Sequence, residues 1–284
     1  MFILPPPFPP RQPKDIFENN NAILAKVQKG LDEYLEIKRQ AFPRFYFIAD
    51  DELFQLLSRS REPRAVQPHM RKLFDAIYEL DFGEQSTGIS ILAILSQDKE
   101  RVSIGPNLKA RGNLEDWLGL VEDSMKKCLF KLTRAALADL QAIEENSAEE
   151  SDGRSQMDWV LQHPAQCVTT VAQIMWAKGS EEAIAGGPFA LSRWYNTSMA
   201  HLEELTELIR SDLSDIERKV TVALVTAGVH ARDIIDTLIQ QKVVSTSNFI
   251  WQAQLRYSWE GLPGPHGEQE DDVRGREPGR AGAW

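Results

Sequence analysis

The sequence predicts a mainly α protein, an elongated multi-helix bundle that carries a small β-hairpin insertion. Apolar residues recur at spacings of three and four over several long stretches, which is the period of amphipathic helices. The period changes to two between residues 89 and 104, where a hairpin is expected. Over 284 residues, an apolar fraction of 42% and a charged fraction of 26% are typical of a globular protein with its own core.

The first expected helix covers residues 15–40 and runs into an aromatic segment, residues 42–48. Pro43 disfavours the α conformation at Phe42, and the aromatic run after it favours an extended, packed segment over a helix. A short helix should follow, capped by Asp50 or its neighbour. The apolar residues of these two helices are Leu24, Val27, Leu31 and Tyr34 or Leu35, and then Leu53, Leu56 and Leu57.

A third helix is expected to open at residues 67–68, Gln-Pro, after residues 62–63, Glu-Pro, end the second. Its apolar face would consist of Met70, Leu73, Phe74 and Ile77. The hairpin strands alternate at Ile89, Ile91, Ala93 and Leu95 and, after a polar turn, at Val102 and Ile104. The Gly-Pro pair at residues 105–106 should stop the second strand.

The second half of the chain also has helical periodicity. A long helix capped by Asn113 should reach the polar run at residues 144–154, which is expected to be a break. Two shorter helices are expected at residues 157–163 and 165–176, and residues 186–188, Gly-Gly-Pro, form the next break.

The longest periodic stretch covers residues 202–238 and predicts one continuous helix. At 1.5 Å per residue this helix would be about 50–60 Å long, unless it bends near Gly228. A helix of that length is what suggests an elongated bundle. The stripe consists of Leu202, Leu205, Ile209, Leu213, Ile216, Val220, Leu224, Ala227, Ala231, Ile234 or Ile235, and Leu238.

The expected domain organisation is one helical region flanked by two segments without a packed structure. The helical region covers residues 15–260, with sub-boundaries near 83–113 and 144–154. Residues 1–14 are rich in proline and are expected to be disordered, and the Gly/Pro/charged tail, residues 261–284, has no hydrophobic period and is expected to be disordered as well.

Charge and composition exclude several classes of function. The net charge of −10 disfavours non-specific nucleic-acid binding, so no nucleic-acid partner is expected. No apolar run is long enough to span a bilayer, and no membrane association is expected. Cys128 and Cys167 are best interpreted as two buried, reduced thiols of a protein in a cytoplasmic compartment.

The motifs of common catalytic sites are absent from the sequence. It contains no phosphate-binding Gly-rich loop followed by Lys and Ser or Thr, and no pair of Cys and His residues at the spacing of a zinc site. His230 and Asp233 are three residues apart on an expected helix and could form a general base held by a carboxylate, or half of a metal site. A polar contact that locks one helix to its neighbour is the favoured interpretation. No cofactor, metal site or enzymatic activity is therefore expected.

Six segments occur in the order and with the residues of one known family, and together they cover about residues 15 to 260. They are Phe42-Pro43-Arg44-Phe45-Tyr46-Phe47 after Tyr34-Leu35-Glu36, Val66-Gln67-Pro68-His69, Trp117-Leu118 with Val121-Glu122, Trp159 and Pro164 with Gln166 and Trp176, Val229-His230-Ala231-Arg232-Asp233, and Trp251 with Gln254-Leu255-Arg256-Tyr257. This series resembles the linker region of dynein heavy chains, and the second and fifth segments are more similar to the axonemal type. Ala165 stands where the family usually has glycine.

The resemblance implies a function as well as a fold. The linker of dyneins is a helical lever arm that swings across a ring of AAA+ ATPase modules, so the chain is expected to be a fragment without that ring and without ATPase activity. The implied partners are the ring and the intermediate and light chains, and the implied location is the cytoskeleton of the ciliary axoneme. Structural roles are implied for Phe42, Pro43, Arg44, Phe45, Trp117, Trp159, Gln166, Trp176, His230, Arg232, Asp233, Trp251, Gln254 and Arg256.

Two other hypotheses differ in class from a lever arm. The chain could be a free-standing helical adaptor that binds dynein subunits. It could also be an enzyme built around His230 and Asp233, which the missing nucleophile and third ligand make remote.

Overall fold

In the computed structural model, residues 13–85, 88–146, 156–263 and 269–276 can be described. They form a mainly α structure with two small antiparallel sheets. The chain divides into two compact units, Met1–Asp123 and Ser124–Trp284. The Pro-rich segment before residue 13, most of the polar break at residues 144–154 and the last eight residues lie outside the described part. The disorder expected of the first and last of these segments therefore stays a prediction, as do the sub-boundaries near 83–113 and 144–154.

The first unit combines short helices with a three-stranded sheet. Its elements are helix α1 (Pro13–Ala41), a 3₁₀ helix (Pro43–Phe47), α2 (Asp50–Ser58), a second 3₁₀ helix (Pro63–His69), α3 (Met70–Leu73), strands β1 (Glu79–Gln85), β2 (Gly88–Leu95) and β3 (Arg101–Lys109), and the first turns of α4 (Leu114–Asn146). The predicted faces of the second and third helices are buried at Leu53, Leu56, Met70, Leu73, Phe74 and Ile77. The side chain of Gln67 donates to the carbonyl of Leu80 and accepts from its N–H, which ties the second 3₁₀ helix to β1.

The expected apolar face of α1 is largely exposed. Leu35 is buried, but Leu24 and Val27 are 63% and 62% exposed. A helix whose apolar stripe lies in solvent gains little from packing, so the period correctly predicted the helix but not the burial of its face.

The aromatic segment is not extended throughout, as the sequence suggested. Phe42 and Ile48 are extended at its two ends, but the five residues between Pro43 and Phe47 form a 3₁₀ helix. Pro43 occupies the first turn, where its fixed φ suits a helical start and its missing N–H is not needed. This turn buries Phe45 and leaves Phe47 70% exposed.

The expected hairpin is present, with one more strand than predicted. The strand order is β1-β2-β3, and both pairs are antiparallel. The third strand does not stop at Gly105 but continues to Lys109, because Gly105 adopts a φ of 110° that glycine accepts without strain. A bulge between Ile91 and Ala93 interrupts the strict alternation that the sequence suggested, since it moves the following side chains to other positions.

The second unit is a bundle of helices around two buried clusters. After α4 come α5 (Gln156–Gln162), α6 (Ala165–Ala185), α7 (Pro188–Arg210), α8 (Asp215–Gln240), the short α9 (Phe249–Gln252), and strands β4 (Arg256–Pro263) and β5 (Gln269–Arg276). One cluster joins α4, α5 and α6 to the facing ends of α7 and α8, through residues such as Leu140, Val171, Leu208 and Leu224. The other joins the far end of α6 to α7, α8 and α9, through Ile184, Leu191, Ile235 and Trp251.

The prediction of one continuous helix over residues 202–238 is wrong. Two helices, α7 and α8, are separated by residues 211–214. The Ser214 hydroxyl accepts from the Glu217 N–H at 3.4 Å, and the Glu217 carboxylate accepts from the Ser214 N–H at 2.8 Å. This reciprocal capping starts a new helix while the apolar spacing continues across the break. Gly228 lies inside α8.

Residues 256–263 and 269–276 form a two-stranded antiparallel sheet, where the sequence from Gly261 had suggested no regular structure. Within the described residues, no helix combines the length and the apolarity needed to cross a membrane.

Replacement of Ser214 by alanine is expected to lower the free energy of unfolding by about 1 kcal/mol, because the Glu217 N–H at the start of α8 loses its capping acceptor. Urea denaturation followed by circular dichroism measures this loss. Ser214→Asp is the control, since an aspartate can accept the same N–H and should retain most of the stability. Equal losses in both variants would contradict the capping role.

Candidate functional site

The residues considered for catalysis do not form a catalytic arrangement. His230 and Asp233 are both exposed on α8. The Asp233 carboxylate accepts from the neighbouring Arg232 at 3.0 and 2.6 Å, so the expected lock between helices is a local pair on one helix. Within the described ranges, no group of three His, Cys, Asp or Glu residues could hold a metal ion. The side chains with structural consequences lie elsewhere.

In the first unit, the aromatic segment is held by Arg44. Its guanidinium donates to both carboxylate oxygens of Glu122 at 3.1 and 3.4 Å and to the carbonyl of Leu73 at 3.0 Å. It also lies 4.5 Å from the ring centre of Phe74. Planar stacking and a two-pronged contact with a carboxylate require arginine rather than lysine.

Three phenylalanines pack beneath this arginine. The rings of Phe42 and Phe45 meet edge to face with centres 5.0 Å apart, and Phe42 also lies 6.4 Å from Phe74. All three side chains are buried. The segment is therefore a fixed connection between α1 and α2, as its aromatic content suggested.

An ion pair joins the end of α1 to the start of α4. Lys38 donates to the carboxylate of Glu115, and Glu115 is 8% exposed. This hydrogen bond raises the pKa of Lys38 above its ordinary value and outweighs the opposing effect of burial. Trp117, two residues later, is fully buried and anchors the same turn.

In the second unit, the predicted signature residue Trp251 contacts two others, Trp176 and Arg256. The two indole rings lie 5.5 Å apart, and the Arg256 guanidinium lies 5.3 Å from the Trp251 ring centre. Arg256 also donates to Glu181 at 3.2 Å and to Gln252 at 3.0 Å. We call these five residues the tryptophan–arginine cluster; it links α6 to the segment that leads into β4.

Three further predicted residues of this unit lie on α5, on α6 and just after α9. Trp159 is buried and donates to the carbonyl of Ala136 at 2.8 Å, which fastens α5 to α4. Gln254 donates to the carbonyl of Ile250 at 3.0 Å, while Gln166 is exposed near the start of α6.

Two cavities adjoin the tryptophan–arginine cluster. The first has a volume of about 170 Å³ and lies among α4, α5, α6, α7 and α8; Leu140, Trp159, Met175, His201 and Leu224 line it. The second has a volume of about 280 Å³ and is lined by His230, Gln254 and Tyr257. Gln173, Trp176, Ala227 and Ala231 line both.

His201 is the half-buried histidine of the first cavity. Burial lowers the pKa of its imidazole below the ordinary value of 6.5, and Glu204 opposes this shift to a smaller extent. The imidazole is therefore neutral near pH 7. An apolar cavity with a neutral histidine favours uncharged occupants.

Comparison with known proteins decides the family. Residues 10–136 match the family model described as dynein heavy chain, N-terminal region 2. The chain is 41% identical over 267 residues to dynein axonemal heavy chain 6 of Homo sapiens, an alignment that covers 87% of this chain. By sequence, the chain belongs to the dynein heavy chain family.

Other dynein relatives give the same result. Identity is 38% over 246 residues to dynein axonemal heavy chain 12 of Homo sapiens, and 37% over 254 residues to the dynein-1-beta heavy chain of the flagellar inner arm I1 complex of Chlamydomonas reinhardtii. Each alignment covers 86% of this chain. The chain spans 6%, 8% and 5% of the length of these three dynein heavy chains.

Several functional contacts of this dynein-related chain were not predictable from the sequence. The partner of Arg256, Glu181, carried no signal that set it apart from the other charged residues of α6, Lys178 and Glu182. His201 belonged to none of the matched segments. Glu122 lay within a matched segment, but its pairing with Arg44 was not expected.

Arg256→Met is expected to lower the free energy of unfolding by about 1–2 kcal/mol, because Glu181 and Gln252 lose a donor and Trp251 loses its cation. The loss should stay below that of a fully buried pair, since Glu181 is 43% exposed and regains water. Arg232→Met is the matched control, and loss of its exposed pair with Asp233 should leave the urea midpoint nearly unchanged. Similar urea midpoints for the two variants would contradict the anchoring role of Arg256.

Acidification from neutral pH through 6.5 is expected to destabilise the protein, partly through His201. Its folded-state pKa lies below 6.5, so the unfolded chain takes up the proton first and gains stability as the pH falls. His201→Gln should therefore lose less free energy of unfolding than the wild type over this range.

His69, whose pKa is also lowered by burial, contributes equally to the wild type and to His201→Gln, so the difference between them isolates His201. Parallel pH profiles for the wild type and His201→Gln would disprove its part.

Proposed function

We propose that this chain acts as the linker, the mechanical lever arm, of an axonemal dynein heavy chain in microtubule-based ciliary movement. The observation that carries the proposal is the 41% identity to a human axonemal heavy chain across 87% of this chain, which includes parts of both compact units. Residues 10–136 also match an N-terminal region of these heavy chains.

The packing of the second unit supports a lever. A lever must transmit force without bending, and close-packed interfaces resist bending because deformation opens them. Two buried clusters join α6, α7 and α8, one along the first half of α6 and one at its end. The indole N–H of Trp194 on α7 donates to the Ser180 hydroxyl on α6 at 3.0 Å, which adds a directional contact between these helices.

The partners of the linker follow from this assignment. The AAA+ ring, which supplies the hydrolytic residues, lies on polypeptide beyond the matched region, and the linker works against it together with intermediate and light chains. The location is the axoneme. The linker itself hydrolyses no ATP.

A second candidate function, a free-standing adaptor for dynein subunits, is favoured by one observation. The exposed apolar residues of α1, which include Phe17 at 66%, could contact a partner helix. The lever arm explains both units of the chain, whereas the adaptor explains only this face.

The test is a chimera in which residues 13–260 replace the homologous segment of a full-length axonemal heavy chain. The chimera is expected to hydrolyse ATP and to move microtubules in a gliding assay, whereas a heavy chain without the segment should hydrolyse ATP without movement. The isolated chain should show no turnover above a mock preparation.

Leu224→Pro in the chimera is the sharper control. It interrupts α8 at a buried position and should stop gliding while turnover continues, because the helix loses its continuity. Unchanged gliding with Leu224→Pro would refute the lever. An immotile wild-type chimera, combined with binding of the isolated chain to purified heavy chain, would support the adaptor instead.

A further inference from the structure

The first part of α1 is a helix whose apolar side chains lie in solvent. Every residue from 13 to 30 is exposed, and no residue of this stretch is packed into the buried core of the described chain. A helix of this length is only marginally stable in water, and tertiary packing of an apolar face normally supplies the rest of its stability. Such a face indicates an interaction surface. Its large apolar residues are Ile16, Phe17, Ile23, Leu24 and Val27.

The exposed face of α1 has the period of a coiled coil. Ile16, Ile23 and Ile37 are separated by multiples of seven residues, and Val27 and Tyr34 lie between them at alternating spacings of four and three residues. Gly30 occupies the same row. A glycine inside an exposed helix lowers its stability, and a Cβ atom at Gly30 would meet no atom within 4 Å. Packing within the described chain therefore does not explain this glycine.

An antiparallel pairing of two copies of α1 matches small residues with large ones. In one register, Val27 lies opposite Gly30 of the second copy and occupies the space that the missing side chain leaves. The same register places Ile23 opposite Tyr34. A parallel pair would instead place Gly30 against Gly30 and leave a gap in the apolar seam, which close packing disfavours.

The charges beside the seam select the same register. Lys26 and Glu33 flank the apolar row, and this antiparallel register brings the Lys26 of each copy to the Glu33 of the other. A shift by one heptad in either direction would bring Lys26 to Lys26 or Glu33 to Glu33, which repel each other. A parallel pair would bring Glu33 to Lys38, whose ammonium already binds Glu115.

Both of these flanking charges are available to a second copy. Lys26 and Glu33 are exposed. Glu33 lies 3.8 Å from Lys29 on its own helix, but both side chains of that pair are well exposed, and an exposed pair of this kind contributes little. The Glu33 carboxylate can therefore also accept from a lysine across the seam.

We propose that α1 pairs with α1 of a second copy of this chain as an antiparallel coiled coil, in the register that joins Lys26 to Glu33 twice. The pair covers the exposed apolar face and stabilises the helix that carries it. A second copy is the occupant because the apolar, steric and charge patterns of α1 complement themselves. The proposal does not rest on the lever function, since this face belongs to the first unit alone.

Sedimentation equilibrium of the full chain tests the pairing. The wild type is expected to form dimers reversibly as its concentration rises. Val27→Glu should abolish dimerisation, because it buries a carboxylate in the seam. Gln28→Glu is the matched control; it adds the same charge at the next residue, which is exposed and points away from the seam, and it should dimerise as the wild type does. A wild type that stays monomeric at high micromolar concentration, or equal behaviour of the two variants, would overturn the proposal.

Exchange of the flanking charges tests the register. Lys26→Glu should weaken dimerisation roughly tenfold at low ionic strength, because two attractive pairs become repulsive in each dimer. Glu33→Lys should have a similar effect, and the combined variant should regain most of the wild-type affinity, since each copy again presents opposite charges. Unchanged dimerisation of Lys26→Glu, or no recovery in the combined variant, would refute the antiparallel register.

Discussion

The close approach of α6, α7 and α8 is the constraint on which the second unit depends. A Cβ atom at Gly179 would lie 2.5 Å from the Trp194 ring, and one at Gly228 would lie 2.8 Å from Leu202. A larger residue would therefore displace the Trp194 ring at Gly179 and the end of the Leu202 side chain at Gly228. The proximity of the helices places the Trp194 N–H within reach of Ser180 and holds the wall of the first cavity in place. Glycine inside a helix lowers the stability of that helix, and the packing at these two positions offsets the loss.

The sequence predicted helices better than it predicted their ends. The apolar stripe of residues 202–238 keeps its spacing across residues 211–214, although the chain there is not helical. Spacing reports which side chains face the core, whereas a helix boundary depends on where N–H groups find partners. The Ser214-x-x-Glu217 signature, which marks the start of a new helix, was present in the sequence and has a known physical meaning.

Neither the burial of a helix face nor the pairing of distant residues could be predicted from the sequence, for a different reason. The face of α1 has the same period as the buried faces of the other helices, but burial depends on what lies opposite, which a local pattern does not contain. Arg44 and Glu122 are 78 residues apart, and Arg256 and Glu181 are 75 apart. The resemblance to dynein linkers selected Trp176, Trp251 and Arg256 as separate motif residues. Only the fold shows that Trp251 contacts both Trp176 and Arg256.

The connections between the long helices of the second unit are themselves held by hydrogen bonds. At the turn from α6 to α7, the N–H groups of Gly186 and Gly187 donate to Glu182 and Ile184, and the Leu191 N–H donates to Gly187. Gly187 has a φ of 85°, which glycine adopts without strain, so the turn is not a stressed point.

The turn from α7 to α8 is closed in the same way. Arg218 of α8 donates to the carbonyl of Ile209 in the last turn of α7 at 2.9 Å, across the capped break at Ser214. A flexible joint would leave these backbone groups to water, and its φ and ψ angles could then change at low cost. Because both connections are paired at their ends and the helices share two buried clusters, we expect α6, α7 and α8 to resist bending, which is the mechanical property that the proposed lever requires.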